Sequence, residues 1–130
     1  MEDTSKRLKI LSVEDDGIIG EMLVLMLQDL GYEATCAENG DEGLELYNEA
    51  LNSNEPFNLV ISDLGMEGMD GITLAKTLRQ ITPSIPIILL TGFSSLVKQE
   101  DYKSVNCMLR KPIVVDELNN AIVKIIESKL

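Results

Sequence analysis

The chain has 130 residues, the size of a single domain able to bury a core without staples, and 22 acidic against 11 basic residues give it a formal net charge of −11. That charge repels nucleic-acid phosphates and anionic membrane surfaces, so direct nucleic-acid binding is not expected. The sequence contains no histidine, which removes the commonest general base, metal ligand and phosphoryl-carrying nitrogen and leaves chemistry to carboxylates, hydroxyls and lysine. No stretch of about 18 consecutive apolar residues occurs, and no apolar run follows the charged amino terminus. Neither a membrane span nor a signal peptide is expected, and the cytoplasm is the expected location. Cys36 and Cys107 lie far apart, each in or beside an apolar run, which suits reduced, buried thiols rather than a disulfide.

Residues 1–7 are polar and read as a frayed terminus. Leu8 to Val13 reads as a strand that runs into Glu14, Asp15 and Asp16. Ile18 to Leu30 reads as a helix closed by Gly31, with Ile19, Met22, Leu23, Met26 and Leu30 as its inward stripe. Ile18, Val24, Leu25 and Leu27 broaden that stripe beyond one buried face. Packing against both the sheet and a neighbouring helix would explain the width, and a docking face for a partner helix is the sharper alternative.

Glu33 to Cys36 reads as a second strand, Asn39-Gly40 as the turn into a helix from Asp41 to Leu51, and Asn52 to Pro56 as a polar connection. The β-branched run Leu59 to Ser62 is a strand of the doubly buried kind that stops at Asp63. Gly65, Gly68 and Gly71 punctuate the loop beyond it, and Asp70 stands at the N-cap of a helix from Gly71 to Ile81, with Ile72, Ala75, Leu78 and either Ile81 or Leu74 facing inward. Pro86 opens the strand Ile87 to Leu90, which ends on Thr91-Gly92. Ser94 or Ser95 would cap a weak helix through Tyr102. Val105 to Leu109 is a fifth strand running into Arg110-Lys111-Pro112, and Val115 to Lys129 a last helix with Leu118, Ile122 and Ile125 inward. Five strands alternate with five helices, which implies right-handed crossovers and one parallel sheet covered on both faces.

In such a sheet the carboxyl ends of the strands share one edge, where ligands bind. The first strand delivers Glu14 and Asp15 there, the third Asp63, the fourth Thr91 and the fifth Lys111. Each has an ordinary role taken singly: acids after strands cap helices, Thr-Gly is a common turn, and a lysine is a surface cation. Coincidence at four strand ends is much less probable. Three crowded carboxylates need a cation, and a hard divalent ion that takes oxygen ligands, such as Mg²⁺, is the natural partner. A metal, a lysine and a hydroxyl around one carboxylate oxygen are what phosphoryl transfer to that oxygen requires, with Asp63 as nucleophile.

The motifs Val-Glu-Asp-Asp, Ser-Asp-Leu-Gly-Met-Glu-Gly-Met-Asp-Gly, Pro-Ile-Ile-Leu-Leu-Thr-Gly and Arg-Lys-Pro, in this order across about residues 8–128, closely resemble the receiver domain of two-component response regulators. The resemblance implies one receiver domain over residues 1–130, a flavodoxin-like α/β fold and sheet order 2-1-3-4-5. It implies Asp63 as phosphoacceptor, Asp15 as direct Mg²⁺ ligand beside it, Glu14 as a ligand through water and Gly65 as a ligand through its carbonyl. Thr91 would contact the arriving phosphoryl group, Lys111 would pair with it, and the Lys111-Pro112 bond would be cis. The implied partner is a histidine kinase or phosphotransfer protein carrying a phosphohistidine. The chain would be a signalling domain and not an enzyme, catalysing only its own phosphorylation and autodephosphorylation.

Three positions depart from the pattern. Glu67 stands where the family often has proline and adds negative charge near the site. Met108, three before Lys111, replaces a switching Phe or Tyr. Phe93 would place a ring beside Thr91 and slow water attack. The run from Thr91 to Ser94 and from Met108 to Pro112 is similar to receivers at the ends of hybrid histidine kinases. No output domain is expected after Leu130, and either a stand-alone receiver or one excised from a longer chain fits that expectation. Val123 and Ile126 on the last helix are apolar positions that a homodimer would cover, and buried packing would cover them equally.

Three other readings compete. An aspartate-nucleophile phosphatase needs a second aspartate two residues after the nucleophile, where this chain has Gly65. A flavin carrier is disfavoured by the absence of tryptophan, by only three tyrosines and two phenylalanines, and by the lack of a Ser/Thr-rich phosphate loop. A degenerate receiver acting as a binding module is disfavoured because every charged site residue is present.

Overall fold

The computed structural model describes residues 7–92 and 98–128. Five strands, β1 (Lys9–Val13), β2 (Glu33–Ala37), β3 (Leu59–Asp63), β4 (Ile87–Thr91) and β5 (Cys107–Arg110), form one sheet of order β2-β1-β3-β4-β5 with every pairing parallel. The α-helices among the described residues are α1 (Gly17–Asp29), α2 (Gly40–Asn52), α3 (Gly71–Ile81) and α4 (Val115–Glu127). This is the expected doubly wound, flavodoxin-like arrangement, with four α-helices instead of five. Where the weak helix through Tyr102 was expected, Gln99–Ser104 is a 3-10 helix, and its start at Ser94 or Ser95 lies outside the described residues. Gln-Glu-Asp-Tyr-Lys-Ser offers no apolar stripe to hold an α-helix on the sheet.

Successive strand residues feed opposite cores, as period-two alternation requires. Ile10, Ile61 and Ile88 pack with Leu23 and Leu27 of α1 and Leu118 and Ile122 of α4. Leu11, Val60 and Ile87 pack with Tyr47 of α2 and Leu74, Ala75 and Leu78 of α3. Helices α1 and α4 therefore cover one face and α2 and α3 the other. In α3 the inward position is Leu74, fully buried, while Ile81 is exposed.

The inward stripe of α1 is rotated from its expected place. Gly20, Leu23 and Leu27 are buried, whereas Ile18, Met22 and Leu25 are 74%, 51% and 62% exposed. The cause is Gly20, where a Cβ would stand 3.0 Å from Cys36 Sγ. A glycine carries no hydrophobic signal, yet it lets α1 settle onto β2 along that line. Broad packing of α1 on both sides is thus not what its width reflects. Gly31, at φ +96°, ends the helix as expected.

Strand β5 begins two residues later than the apolar run suggested. Val105 donates its N–H to Tyr102 O to close the 3-10 helix, and the Asn106 side chain accepts the Ile87 N–H at 2.9 Å while Asn106 N donates to Ile87 O at 2.8 Å. On α4, Val123 is exposed but Ile126 packs against the core, so only one of the two positions offered for a homodimer is at the surface.

Candidate functional site

The parallel register sets the depth of each site residue at the carboxyl edge of the sheet. Val13 pairs with Ser62, Asp63 with Leu90, and Thr91 with Arg110, so Glu14, Asp63, Thr91 and Lys111 leave their strands at nearly one level. Leu64 N donates to Leu90 O and Lys111 N to Thr91 O, which extends the pairing one step past the strands and fixes the backbone under both side chains.

Lys111 Nζ lies 3.1 Å from Glu14 Oε1 and 3.0 Å from Asp63 Oδ1. Glu14 and Asp63 are buried, Asp15 is exposed, and a carboxylate oxygen from each of the three lies within 4.8 Å of the others. Glu14 also accepts the Asp16 N–H at 3.2 Å. Burial raises the Glu14 carboxyl above its ordinary range, and the Asp16 amide and Lys111 recover only part of that cost. For Lys111 burial acts downward, but hydrogen bonds to Asp63 and Glu14 outweigh it and its pKa is raised. The lysine is therefore firmly cationic, and among the described residues it is the one cation that bridges the two buried carboxylates. An all-oxygen donor set, with one exposed carboxylate that can meet a hydrated ion, fits Mg²⁺.

Asp16 is no part of this cluster. Its Oδ1 accepts the N–H groups of Ile18 and Ile19 at 3.0 and 3.1 Å and caps α1. Asp70 likewise caps α3, accepting from Thr73 N at 2.8 Å. Between Asp63 and Asp70 the loop carries Gly65 and Glu67, both exposed, and closes with Gly71 N donating to Leu64 O at 2.9 Å. A Cβ on Gly71 would collide with the Asp63 backbone oxygen, so only glycine lets α3 start directly beneath that residue. Thr91 is buried at the end of β4. Met108, opposite Leu89, packs in a small cluster with Leu64, Ile72 and Val105. Phe93 lies outside the described residues. The Lys111-Pro112 peptide is cis.

A feature the sequence did not place is the groove beside Lys111. Ile19, Met22, Leu23 and Met26 of α1 line one side, and Lys111, Pro112 and Ile113 the other. The apolar width of α1 was its only signal, and the pairing with the Pro112 loop is a tertiary fact.

Fold and site together define a flavodoxin-like α/β domain whose switch-point edge carries an acidic pocket bridged by lysine. The family model of the response regulator receiver domain matches residues 10–123, and the chain belongs to that family. It is a receiver domain of two-component systems, a phosphoacceptor signalling domain. The response regulator receiver protein CpdR of Brucella abortus is 34% identical over 120 residues, covering 91% of this chain and 96% of CpdR. The transcriptional regulatory protein GlrR of Escherichia coli is 36% identical over 115 residues, but this chain spans only 25% of its length. Among solved structures, the response regulator TrrA of Thermotoga maritima, in complex with Mg²⁺ and BeF, superposes with a TM-score of 0.82 at 32% identity, covering 93% of this chain and 99% of TrrA. The receiver domain of the hybrid histidine kinase CckA gives 0.74 at 29% identity, covering 90% and 97%.

Proposed function

We propose that Asp63 is the phosphoacceptor: its free carboxylate oxygen attacks the phosphorus of a partner's phosphohistidine. The P–O bond to Asp63 forms as the P–N bond breaks, and the leaving imidazole takes its proton from water. Mg²⁺ would be held by Asp15 and Asp63, by Glu14 through water and by the Gly65 carbonyl. When bound it supplies positive charge to the transferring phosphoryl oxygens. Lys111 supplies the second charge and, by pairing with Asp63, orients the carboxylate before the donor arrives. The Thr91 hydroxyl contacts the phosphoryl group once it is in place, and the new contacts of Thr91 and Lys111 bias the chain between two conformations. Hydrolysis of the acyl phosphate by water, assisted by the same groups, resets Asp63, so self-phosphorylation and autodephosphorylation are the only reactions the site performs.

The observation that carries this reading is the Lys111 ammonium within 3.1 Å of both Glu14 and Asp63 inside a three-carboxylate cluster. A phosphatase acting on external substrates would need an acid at position 65, which is glycine. The donor is a histidine kinase or phosphotransfer protein in the cytoplasm, and its helix would dock on the exposed ridge of Ile18, Met22 and Leu25, with the groove beside Lys111 taking its side chains. Radiolabelled transfer from a phosphorylated phosphotransfer domain tests it: wild type takes the label in Mg²⁺ and loses it to hydroxylamine, Asp63→Asn takes none. Equal labelling of Asp63→Asn would defeat the proposal.

A further inference from the structure

The loop from Leu64 to Asp70 must hold Gly65 still if its carbonyl is to serve the site, yet both Gly65 and Glu67 are exposed and Gly68 sits at φ +79°. What fastens it are two methionines. Met66 is buried in the core beneath α2 and α3. Met69 packs against the same core and reaches the first residue of α2, where a Cβ on Gly40 would stand 2.9 Å from both the Cβ and the Sδ of Met69 and 3.1 Å from its Cγ. Three atoms of one side chain thus occupy the space that any other residue at position 40 would claim.

The start of α2 cannot easily yield to make room. Asn39 Oδ1 accepts from Glu42 N at 2.8 Å and caps the helix, and Glu42 Oε1 accepts from Glu38 N at 2.6 Å, tying the first turn back to the residue before the cap, so the two bonds together hold Gly40 where it is. Gly40 is buried, and its φ is one that other residues adopt freely, so close approach is what the glycine provides.

We infer that Gly40 and Met69 form a clamp that positions the β3–α3 loop for the metal and for Asp63, making both of them positioning residues for the phosphoryl-accepting site. The inference rests on the metal reading of Glu14, Asp15, Asp63 and Gly65 given above. An alanine at position 40 should stabilise helix α2 by its intrinsic preference while displacing Met69, so its effect on the loop and its effect on the helix have opposite signs. Support one layer out from a metal commonly changes affinity by about tenfold or more, and a tenfold weakening of Mg²⁺ binding is the expected size here.

The experiment compares wild type, Gly40→Ala, Met69→Ala and the double variant by Mg²⁺ calorimetry and by hydrogen exchange of the amides between Leu64 and Asp70. Gly40→Ala should bind Mg²⁺ about tenfold more weakly and exchange faster in the loop, and the double variant, which removes the obstructing Sδ and Cγ and keeps only the Cβ contact, should bring affinity partway back above that of Gly40→Ala, a non-additivity expected only of contacting residues. Met69→Ala alone, which creates no clash, should fold and still loosen the loop. Gly40→Ala with wild-type affinity and wild-type exchange would overturn the clamp, and so would additive effects in the double variant. Should wild type itself bind no Mg²⁺, the metal reading fails, and loop exchange alone then decides the clamp.

Discussion

Lys111 is the residue on which the local electrostatics turn. Glu14 has only 1% of its side chain exposed, and taking away its cation leaves a buried carboxylate beside Asp63 with only the Asp16 amide to offset the cost. Lys111→Ala should therefore lower stability in EDTA by about 2 kcal/mol, given two charge-assisted hydrogen bonds lost from a partly buried site. Millimolar Mg²⁺ should return much of that loss, because the carboxylates that hold the ion are intact; urea midpoints with and without Mg²⁺ would show it, and a midpoint unmoved by the substitution would contradict the pairing. Ser12 makes the opposite prediction. Its hydroxyl is fully buried near the end of β1 and has no hydrogen-bond partner among the described residues. Ser12→Ala removes that unpaid desolvation and should raise stability by about 1 kcal/mol in the same urea titration. Glu14, Asp15, Asp63, Thr91 and Lys111 were all legible in the sequence because each directly follows or ends an apolar strand, and parallel pairing does the rest. The contact of Met69 with Gly40 was not, since nothing local links positions 29 apart in the chain.

At the scale of elements, the two aspartates flanking the cluster separate capping from chemistry. Asp16→Ala and Asp70→Ala should each cost about 1 kcal/mol of stability and leave Mg²⁺ affinity near wild type, while Asp15→Ala should cost little stability and most of the affinity. Thermal unfolding paired with Mg²⁺ calorimetry distinguishes the three, and a loss of Mg²⁺ binding in Asp16→Ala would show that the assignment of roles is wrong. Strand positions and the span of α3 could be read directly, because doubly buried strands and capped helices carry strong periodic and terminal signals. The α1 stripe was misplaced because period reading weighs large apolar side chains, and the helix instead approaches the sheet along Gly20. The 3-10 helix and the late start of β5 follow from hydrogen bonds of Tyr102, Val105 and Asn106 that no propensity encodes.

Across the whole molecule, the acidic pocket and the proposed docking face lie side by side. The exposed ridge of α1 begins one turn after Asp15 and borders the groove that Lys111 closes, so a partner resting on Met22 and Leu25 would meet the edge of the sheet that carries Asp63. Because those side chains are 51% and 62% exposed, Met22→Glu and Leu25→Glu should change stability by no more than about 0.5 kcal/mol. They should nonetheless slow transfer from a phosphorylated protein donor tenfold or more, on the order of a lost apolar anchor, while labelling by a small phosphodonor stays unchanged. A donor rate unaffected by both substitutions would remove α1 as the docking face. CpdR, which this chain nearly spans, and GlrR, of which it spans a quarter, show that such a domain occurs both as most of a protein and as one part of a longer one.

Acceptance of a phosphoryl group by Asp63 with the help of a divalent ion can be read from intact mass spectrometry after incubation with acetyl phosphate. Wild type in Mg²⁺ should gain the mass of one phosphoryl group, and wild type in EDTA and Asp63→Asn in Mg²⁺ should gain none. A gain that persists in Asp63→Asn would move the phosphoryl group to another residue, and a gain that is the same in EDTA as in Mg²⁺ would remove the ion from the transfer.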